Sequence, residues 1–152
     1  MIDTHLNKSR ECPLMFIPAI MKTRADAEME LISTQWQAIP YLSPKENLFL
    51  GVQKKHFDPA YLDSLYQQFD VKTAFMKKNE ELTPFEAVKL QFLHELLLHK
   101  KKIAFDDVCA SFSITETQAF LALCKQITQQ EQLSISIYTS DPALTKLDGK
   151  AI

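Results

Sequence analysis

The scarcity of glycine constrains this chain more than any other feature. Its 152 residues include only two glycines, Gly51 and Gly149. A fold built on many tight β-turns needs glycine at positive φ, so such a fold is disfavoured. A glycine-rich phosphate-binding loop is excluded for the same reason. Helices joined by short connections that begin with proline fit this sequence better.

Composition and charge describe a folded protein with little electrostatic pull on polyanions. Hydrophobic residues make up 46% of the chain and charged residues 24%, which is typical of one globular domain or of two small lobes sharing a core. The net charge is -2, and the only arginines are Arg10 and Arg24. A chain so nearly balanced has no strong field that would attract nucleic acid or an anionic membrane.

The sequence predicts the N-terminal ends of several helices. Residues 43–46 form a capping box, in which the side chain of Ser43 and that of Glu46 satisfy each other's backbone amides, and proline follows Ser43. Asp58 precedes a proline in the same way, and residues 83–86 form a second box. Residues 115–118 predict a third box, with glutamine in the return position. The helix after Thr83 is the most apolar and is predicted to be the central one.

A further helix is predicted from about residue 24 to residue 38, because apolar side chains recur there every three or four positions. Pro40 ends it, since the residue before proline avoids the α region. Residues 1–11 are polar and are expected to be loose. The apolar patch between Leu14 and Ile20 is interrupted by Pro18, so an edge strand is the most that it predicts.

The C-terminal segment combines helical and alternating patterns. One helical stripe is predicted from Phe105, Val108, Cys109 and Phe112, and Ile114 is expected to fill the gap before the next helix. That helix runs from Thr115 to about Gln130, with an inner stripe of Phe120, Leu123, Cys124 and Ile127. Residues 133–138 alternate as a strand does, and Asp148-Gly149 suits a tight turn between 145–147 and 150–152.

Helix, helix, short turn, helix and β-ribbon in this order resemble the winged helix-turn-helix superfamily, over about residues 84–152. The expected fold is therefore mainly α. It consists of a helical N-terminal lobe with a loose N-terminus, residues 1–83, packed on a winged-helix-like lobe with a small β-ribbon, residues 84–152. The N-terminal half resembles no family.

The resemblance implies that the helix from Thr115 carries the binding face. Residues 84–152 hold seven lysines, eight acidic residues and no arginine, which favours a protein partner or self-association over DNA. We therefore predict a non-enzymatic adaptor or regulatory module, and the alternative is a DNA-binding transcriptional regulator. The predicted partner- or DNA-binding residues are Thr115, Thr117, Gln118, Leu121, Ala122, Lys125, Gln129, Lys100, Lys101 and Lys102.

No enzyme site, metal site or cofactor is predicted. His94 and His99 are five residues apart, whereas a helical zinc motif places its histidines four apart on one face. The three cysteines are an odd number at wide spacing, which predicts reduced thiols in a cytoplasmic protein. The apolar run 12–21 is too short to span a bilayer and lacks a convincing cleavage site, although export by another route stays open.

Overall fold

The computed structural model describes residues 13–22 and 30–147. Three strands form one sheet: β1 (Leu14–Pro18), β2 (Lys102–Asp106) and β3 (Ser134–Thr139). The α-helices of the described residues are α1 (Pro44–Leu48), α2 (Pro59–Phe69), α3 (Lys72–Phe75), α4 (Pro84–Leu97), α5 (Ile114–Glu131) and α6 (Pro142–Thr145). Short 3-10 turns cover Ala19–Met21, Lys54–His56, Asn79–Glu81 and Val108–Ser111.

The sheet is parallel, with the strand order β1-β3-β2. β1 and β2 both pair with β3, so that Leu14 and Ile103 lie opposite Ile135. On the free edge of β2, Ile32 forms a parallel bridge. Its N–H donates to the carbonyl oxygen of Ala104 over 2.9 Å, and its own carbonyl accepts from the N–H of Asp106 over 2.8 Å. Parallel strands joined through helices make this an α/β protein, so the mainly α class is wrong.

The winged-helix prediction is also wrong. The predicted helical stripe begins on strand β2, where Phe105 lies, and continues in the 3-10 turn Val108–Ser111. The alternating segment 133–138 does form a strand, but β3 is the middle strand of a parallel sheet and not part of a β-ribbon. Thr145 ends α6, and residues 148–152 of the predicted tight turn lie outside the described residues. The division of the chain at residue 83 stays a prediction.

The helix predicted over residues 24–38 is not present in its described part. Residues 30–38 are extended or irregular, because Ile32 pairs with β2 instead of turning into a helix. Ile32 is buried, and Trp36 packs half-buried against the core. Residues 24–29 lie outside the described part of the chain. The apolar spacing that predicted one face of a helix therefore comes from a segment that lies along an edge of the sheet.

Two of the predicted capping boxes are confirmed, at Ser43 and Thr83, and Asp58 caps α2 as expected. The third box lies two residues earlier than predicted. Ser113 accepts from the N–H of Glu116 over 3.1 Å, and the Glu116 carboxylate accepts from the N–H of Ser113 over 2.9 Å. The helix therefore begins at Ile114, whose side chain is 80% exposed and does not fill a gap in the interior.

The corrected cap gives a direct test. Replacing Ser113 with alanine is expected to lower the free energy of unfolding by about 1 kcal/mol, because the N–H of Glu116 loses its acceptor. Replacing Thr115 with alanine removes an exposed side chain in the first turn and is expected to change stability little. Urea denaturation of the two variants measures the difference. Equal losses, or a larger loss for Thr115→Ala, would restore the predicted box.

The core is assembled around α4, which confirms the prediction of a central helix. Most of its residues are buried, and Phe92 on its inner face contacts the rings of Phe69 and Phe105 edge-on. Phe105 contacts Phe120 of α5 in the same geometry, at 4.9 Å between ring centroids. This chain of rings joins helix α2, helix α4, strand β2 and helix α5. It fixes the sheet against the helices, and thereby the edge at which the strands end.

Candidate functional site

The three strands are parallel, so their carboxyl ends meet at one edge of the sheet. Lys22 follows β1 after the 3-10 turn Ala19–Met21, and Asp106 is the last residue of β2. The Nζ atom of Lys22 lies 2.9 Å from Oδ1 of Asp106, and the two side chains are 33% and 35% exposed. The crevice outside the carboxyl ends of strands is where open α/β sheets bind their ligands. This Lys22–Asp106 pair is therefore the candidate site.

Backbone hydrogen bonds fix the loop that follows β2. Asp107 has a left-handed backbone, with φ 51°, and its N–H donates to the carbonyl oxygen of Tyr138 over 2.8 Å. Oδ1 of Asp107 accepts from the N–H of Ser140 over 2.9 Å. Oγ1 of Thr139 accepts from the N–H of Asp141. The ends of β2 and β3 are thus tied together, which holds Asp106 in a defined position at the edge.

A cleft of about 350 Å³ lies beside this edge, and we call it the α5–α6 cleft. It is lined by Asp107, Cys109, Ala110, Phe112, Ile114, Thr117, Gln118, Leu121, Ser140, Asp141 and Leu144. Burial first, and then the carboxylates of Asp107 and Asp141, together raise the pKa of the Cys109 thiol to about 12. The thiol is therefore protonated at neutral pH and is not a reactive nucleophile.

The residues predicted to bind a partner or DNA are distributed over separate surfaces. Thr117, Gln118 and Leu121 line the α5–α6 cleft, although Leu121 is only 6% exposed. Three others on the same helix, Thr115, Ala122 and Gln129, are exposed, whereas Lys125 is half-buried.

The lysine run 100–102 is not part of the same surface. It leads into β2 from the amino end of the strand, whereas α5 begins beyond the carboxyl end. The structure thus does not bring the lysine run and the leading end of α5 together.

His94 lies on α4 and His99 lies just after its C-terminal end, and the two side chains contact different residues. His94 Nε2 donates to the carbonyl oxygen of Leu50 over 2.7 Å. His99 has a positive φ of 61° and stacks on the ring of Phe57, with 5.5 Å between centroids. Within residues 13–22 and 30–147, no group of three or more histidine, cysteine, aspartate or glutamate side chains is placed to hold a metal ion. In the same residues no helix combines the length and apolarity needed to cross a membrane.

Neither Lys22 nor Asp106 was predicted from the sequence as a site residue. Lys22 and Asp106 are 84 positions apart in the sequence, so no local spacing connects them. A signal did exist at Asp106, because an acidic residue directly follows the apolar run Ile103–Phe105. Such a run is typical of a buried parallel strand, and a polar residue at its carboxyl end would then lie at the ligand-binding edge.

Comparison with known proteins identifies the fold. No protein-family model matches the chain, and no curated protein matches its sequence. Solved structures do match, and they give the chain the fold of the ATP-binding cassettes of ABC transporters. At 13–14% sequence identity, this likeness concerns the fold alone.

Three of these structures define the comparison. The dimeric bacterial ABC transporter cassette MJ0796 is 14% identical, with a TM-score of 0.61 over 78% of this chain and 54% of the cassette. The same cassette in a post-hydrolysis state, bound to ADP and Pi, matches 94% of this chain and 59% of the cassette, at 14% identity and a TM-score of 0.61. CbiO1 from Clostridium perfringens, part of the ABC transporter complex cbiONQ, is 13% identical. The match has a TM-score of 0.58 and covers 91% of this chain and 51% of cbiO1. The chain thus spans little more than half the length of these cassettes.

These neighbours overturn the functional predictions made from the sequence. The adaptor and the DNA-binding regulator both rested on a winged-helix lobe, and the chain has a cassette-type α/β fold instead. The prediction of a non-enzymatic module rested on that resemblance and on the lack of a recognisable catalytic motif in the sequence. It is corrected as well, because the neighbours are ATP-binding cassettes, one of them in a post-hydrolysis state.

Proposed function

We propose that this chain binds the phosphate groups of a nucleotide, together with Mg²⁺, at the carboxyl edge of its parallel sheet. The observation that carries the proposal is the pairing of Lys22, after β1, with Asp106, at the end of β2. Nucleotide-binding proteins with a parallel sheet use a lysine after one strand for the phosphates and an aspartate after another for the metal. The cassette fold and the neighbour bound to ADP and Pi support the same ligand class.

The charges of the pair suit the two halves of a magnesium nucleotide. The ammonium group of Lys22 carries a localised positive charge and can donate hydrogen bonds to phosphate oxygens. Mg²⁺ is bound through one or two carboxylates together with waters and substrate phosphates, so the single carboxylate of Asp106 fits the metal. The two side chains are two-thirds covered, and in the absence of ligand each neutralises the other. Binding would replace their mutual contact with one to phosphate and one to metal.

The connection after β1 departs from the usual phosphate-binding loop. Such loops use several glycines so that backbone amides surround the phosphates. Here the 3-10 turn Ala19–Met21 leads to Lys22 without any glycine. A larger share of the affinity would therefore depend on Lys22, and we expect weaker binding than a glycine-rich loop gives.

The test is a calorimetric titration of the full chain with ATP, and separately with ADP, in the presence of Mg²⁺. We expect saturable binding that Lys22→Met weakens at least about tenfold, since a charged hydrogen bond to phosphate is lost. The matched control is Lys72→Met, which breaks the Lys72–Asp63 pair at 3.4 Å on helices α2 and α3 and should leave binding unchanged. Absence of binding at millimolar nucleotide, or equal affinity for Lys22→Met and the unaltered chain, would refute the proposal.

Two further measurements on the same samples extend the proposal. Phosphate release distinguishes binding alone from turnover of the nucleotide. Sedimentation with and without nucleotide examines self-association, which the proposal includes because the MJ0796 cassette is dimeric.

A further inference from the structure

We propose that the α5–α6 cleft binds a small organic cation with an apolar body, such as an arylalkyl amine. This site is separate from the Lys22–Asp106 pair and does not depend on nucleotide binding. The cleft lies between the 3-10 turn Val108–Ser111, the first two turns of α5 and helix α6. Its volume of about 350 Å³ falls in the range that holds small ligands.

One wall of the cleft is apolar. It consists of Phe112, Ile114, Leu121 and Leu144. Ile114 is 80% exposed although it is a large aliphatic residue in a rigid first helical turn. Covering such a side chain with an apolar ligand removes hydrocarbon surface from water, which contributes about 25 cal/mol per Å². The wall therefore favours a hydrocarbon or aromatic body.

Two residues of the lining, Asp107 and Asp141, carry negative charges. Oδ1 of Asp107 accepts from the N–H of Ser140, and Oδ1 of Asp141 accepts from the N–H of Ala143. These backbone contacts orient both carboxylates, and within the described residues neither carboxylate forms a salt bridge.

No lysine, arginine or histidine is among the residues that line the cleft in the described part of the chain. Both carboxylates raise the pKa of the thiol of Cys109, which also lines the cleft. The cleft thus has a negative potential that an anionic or neutral ligand would not neutralise.

An ammonium group satisfies this arrangement better than a metal ion does. The cleft has two carboxylates, whereas the described residues contain no group of three ligands placed for a metal. Its apolar wall would also remain uncovered by a bare ion. An amine donates up to three hydrogen bonds, which suits two carboxylate acceptors, and its hydrocarbon part would cover Ile114 and Leu144.

The probes are 2-phenylethylamine and its neutral counterpart 2-phenylethanol, titrated into the ¹⁵N-labelled full chain. Amide resonances of residues 110–118 and 139–144 should shift with the amine. We expect the alcohol to bind at least about fivefold more weakly, since it lacks the charge that the two carboxylates attract. Equal affinities of amine and alcohol would overturn the proposal, as would the absence of shifts in these segments.

A matched pair of substitutions tests the role of charge in the chain itself. Asp141→Asn removes one carboxylate but keeps an oxygen that caps α6, since asparagine is as good an N-cap as aspartate. Asp58→Asn is the control, because Asp58-Pro59-Ala60 caps α2 with the same sequence and the same contact to the alanine N–H, away from the cleft. We expect Asp141→Asn to weaken amine binding about fivefold and Asp58→Asn to leave it unchanged. Unaltered affinity in Asp141→Asn, or an equal loss in both variants, would refute the assignment.

Discussion

Replacing Phe105 with alanine is expected to lower the free energy of unfolding by about 3–5 kcal/mol. Phe105 is fully buried on β2 and contacts the rings of Phe92 and Phe120. Truncation removes both ring contacts and leaves a cavity between the sheet and two helices. Because a domain of this size is stable by only about 5–15 kcal/mol, the variant should unfold at much lower urea concentration.

Two further variants make this prediction specific. Phe105→Leu fills most of the space and should lose much less stability. Tyr41→Ala removes a ring that is 86% exposed and should lose almost none. Urea midpoints and slopes measured by circular dichroism compare the three variants. If Phe105→Ala unfolded at the same midpoint as Tyr41→Ala, β2 would not be the buried strand described above.

Replacing Asn47 with leucine is expected to cost about 3 kcal/mol, although the new side chain is apolar and the site is buried. The side chain of Asn47 is enclosed by the turn before α1. Its Oδ1 accepts from the N–H of Ile39 over 2.8 Å, and its Nδ2 donates to the carbonyl oxygens of Ile39, Leu42 and Ser43. Leucine leaves the Ile39 N–H buried without its acceptor, and the turn loses the side chain that holds it.

Thermal unfolding followed by calorimetry measures this loss. Asn47→Asp retains an acceptor for the Ile39 N–H but has no donor for the three carbonyl groups, so it should also be strongly destabilised. Gln53→Leu is the comparison at an exposed position. If Asn47→Leu had the same thermal stability as Gln53→Leu, the turn would not need the asparagine.

Local signals were sufficient for the helix starts and insufficient for the sheet. The capping boxes at Ser43 and Thr83 depend on contacts three residues apart, so the sequence alone contains everything that determines them. For α5 the box was predicted at Thr115, whereas the structure places it at Ser113. Choosing between them required knowing that β2 and its turn place Ile114 outside the core.

The sheet was misread because a buried parallel strand has no pattern of its own. Residues Ile103, Ala104 and Phe105 are all buried, so the alternation that identifies a half-exposed strand is missing. With Val108 and Cys109 buried in the following turn, the apolar spacing matched a helical stripe by coincidence. The segment around Ile32 was predicted to be helical in the same way, although Ile32 pairs with β2 and not with a neighbouring helical turn. The candidate site was missed with the sheet, because only the sheet brings Lys22 to Asp106.

The position of β1 in the sheet has a consequence for synthesis on the ribosome. β1 is made first, yet the strand with which it pairs is β3, which follows α5 near the other end of the described chain. Helices α1 to α4 can condense on one another as they emerge, since their contacts are closer in sequence. Among the described residues, the strand that pairs with β1 is complete only when translation has passed Thr139. The apolar residues of β1 therefore remain exposed to water or to a chaperone while the chain between β1 and β3 is made, and closure of the sheet follows the packing of the helices.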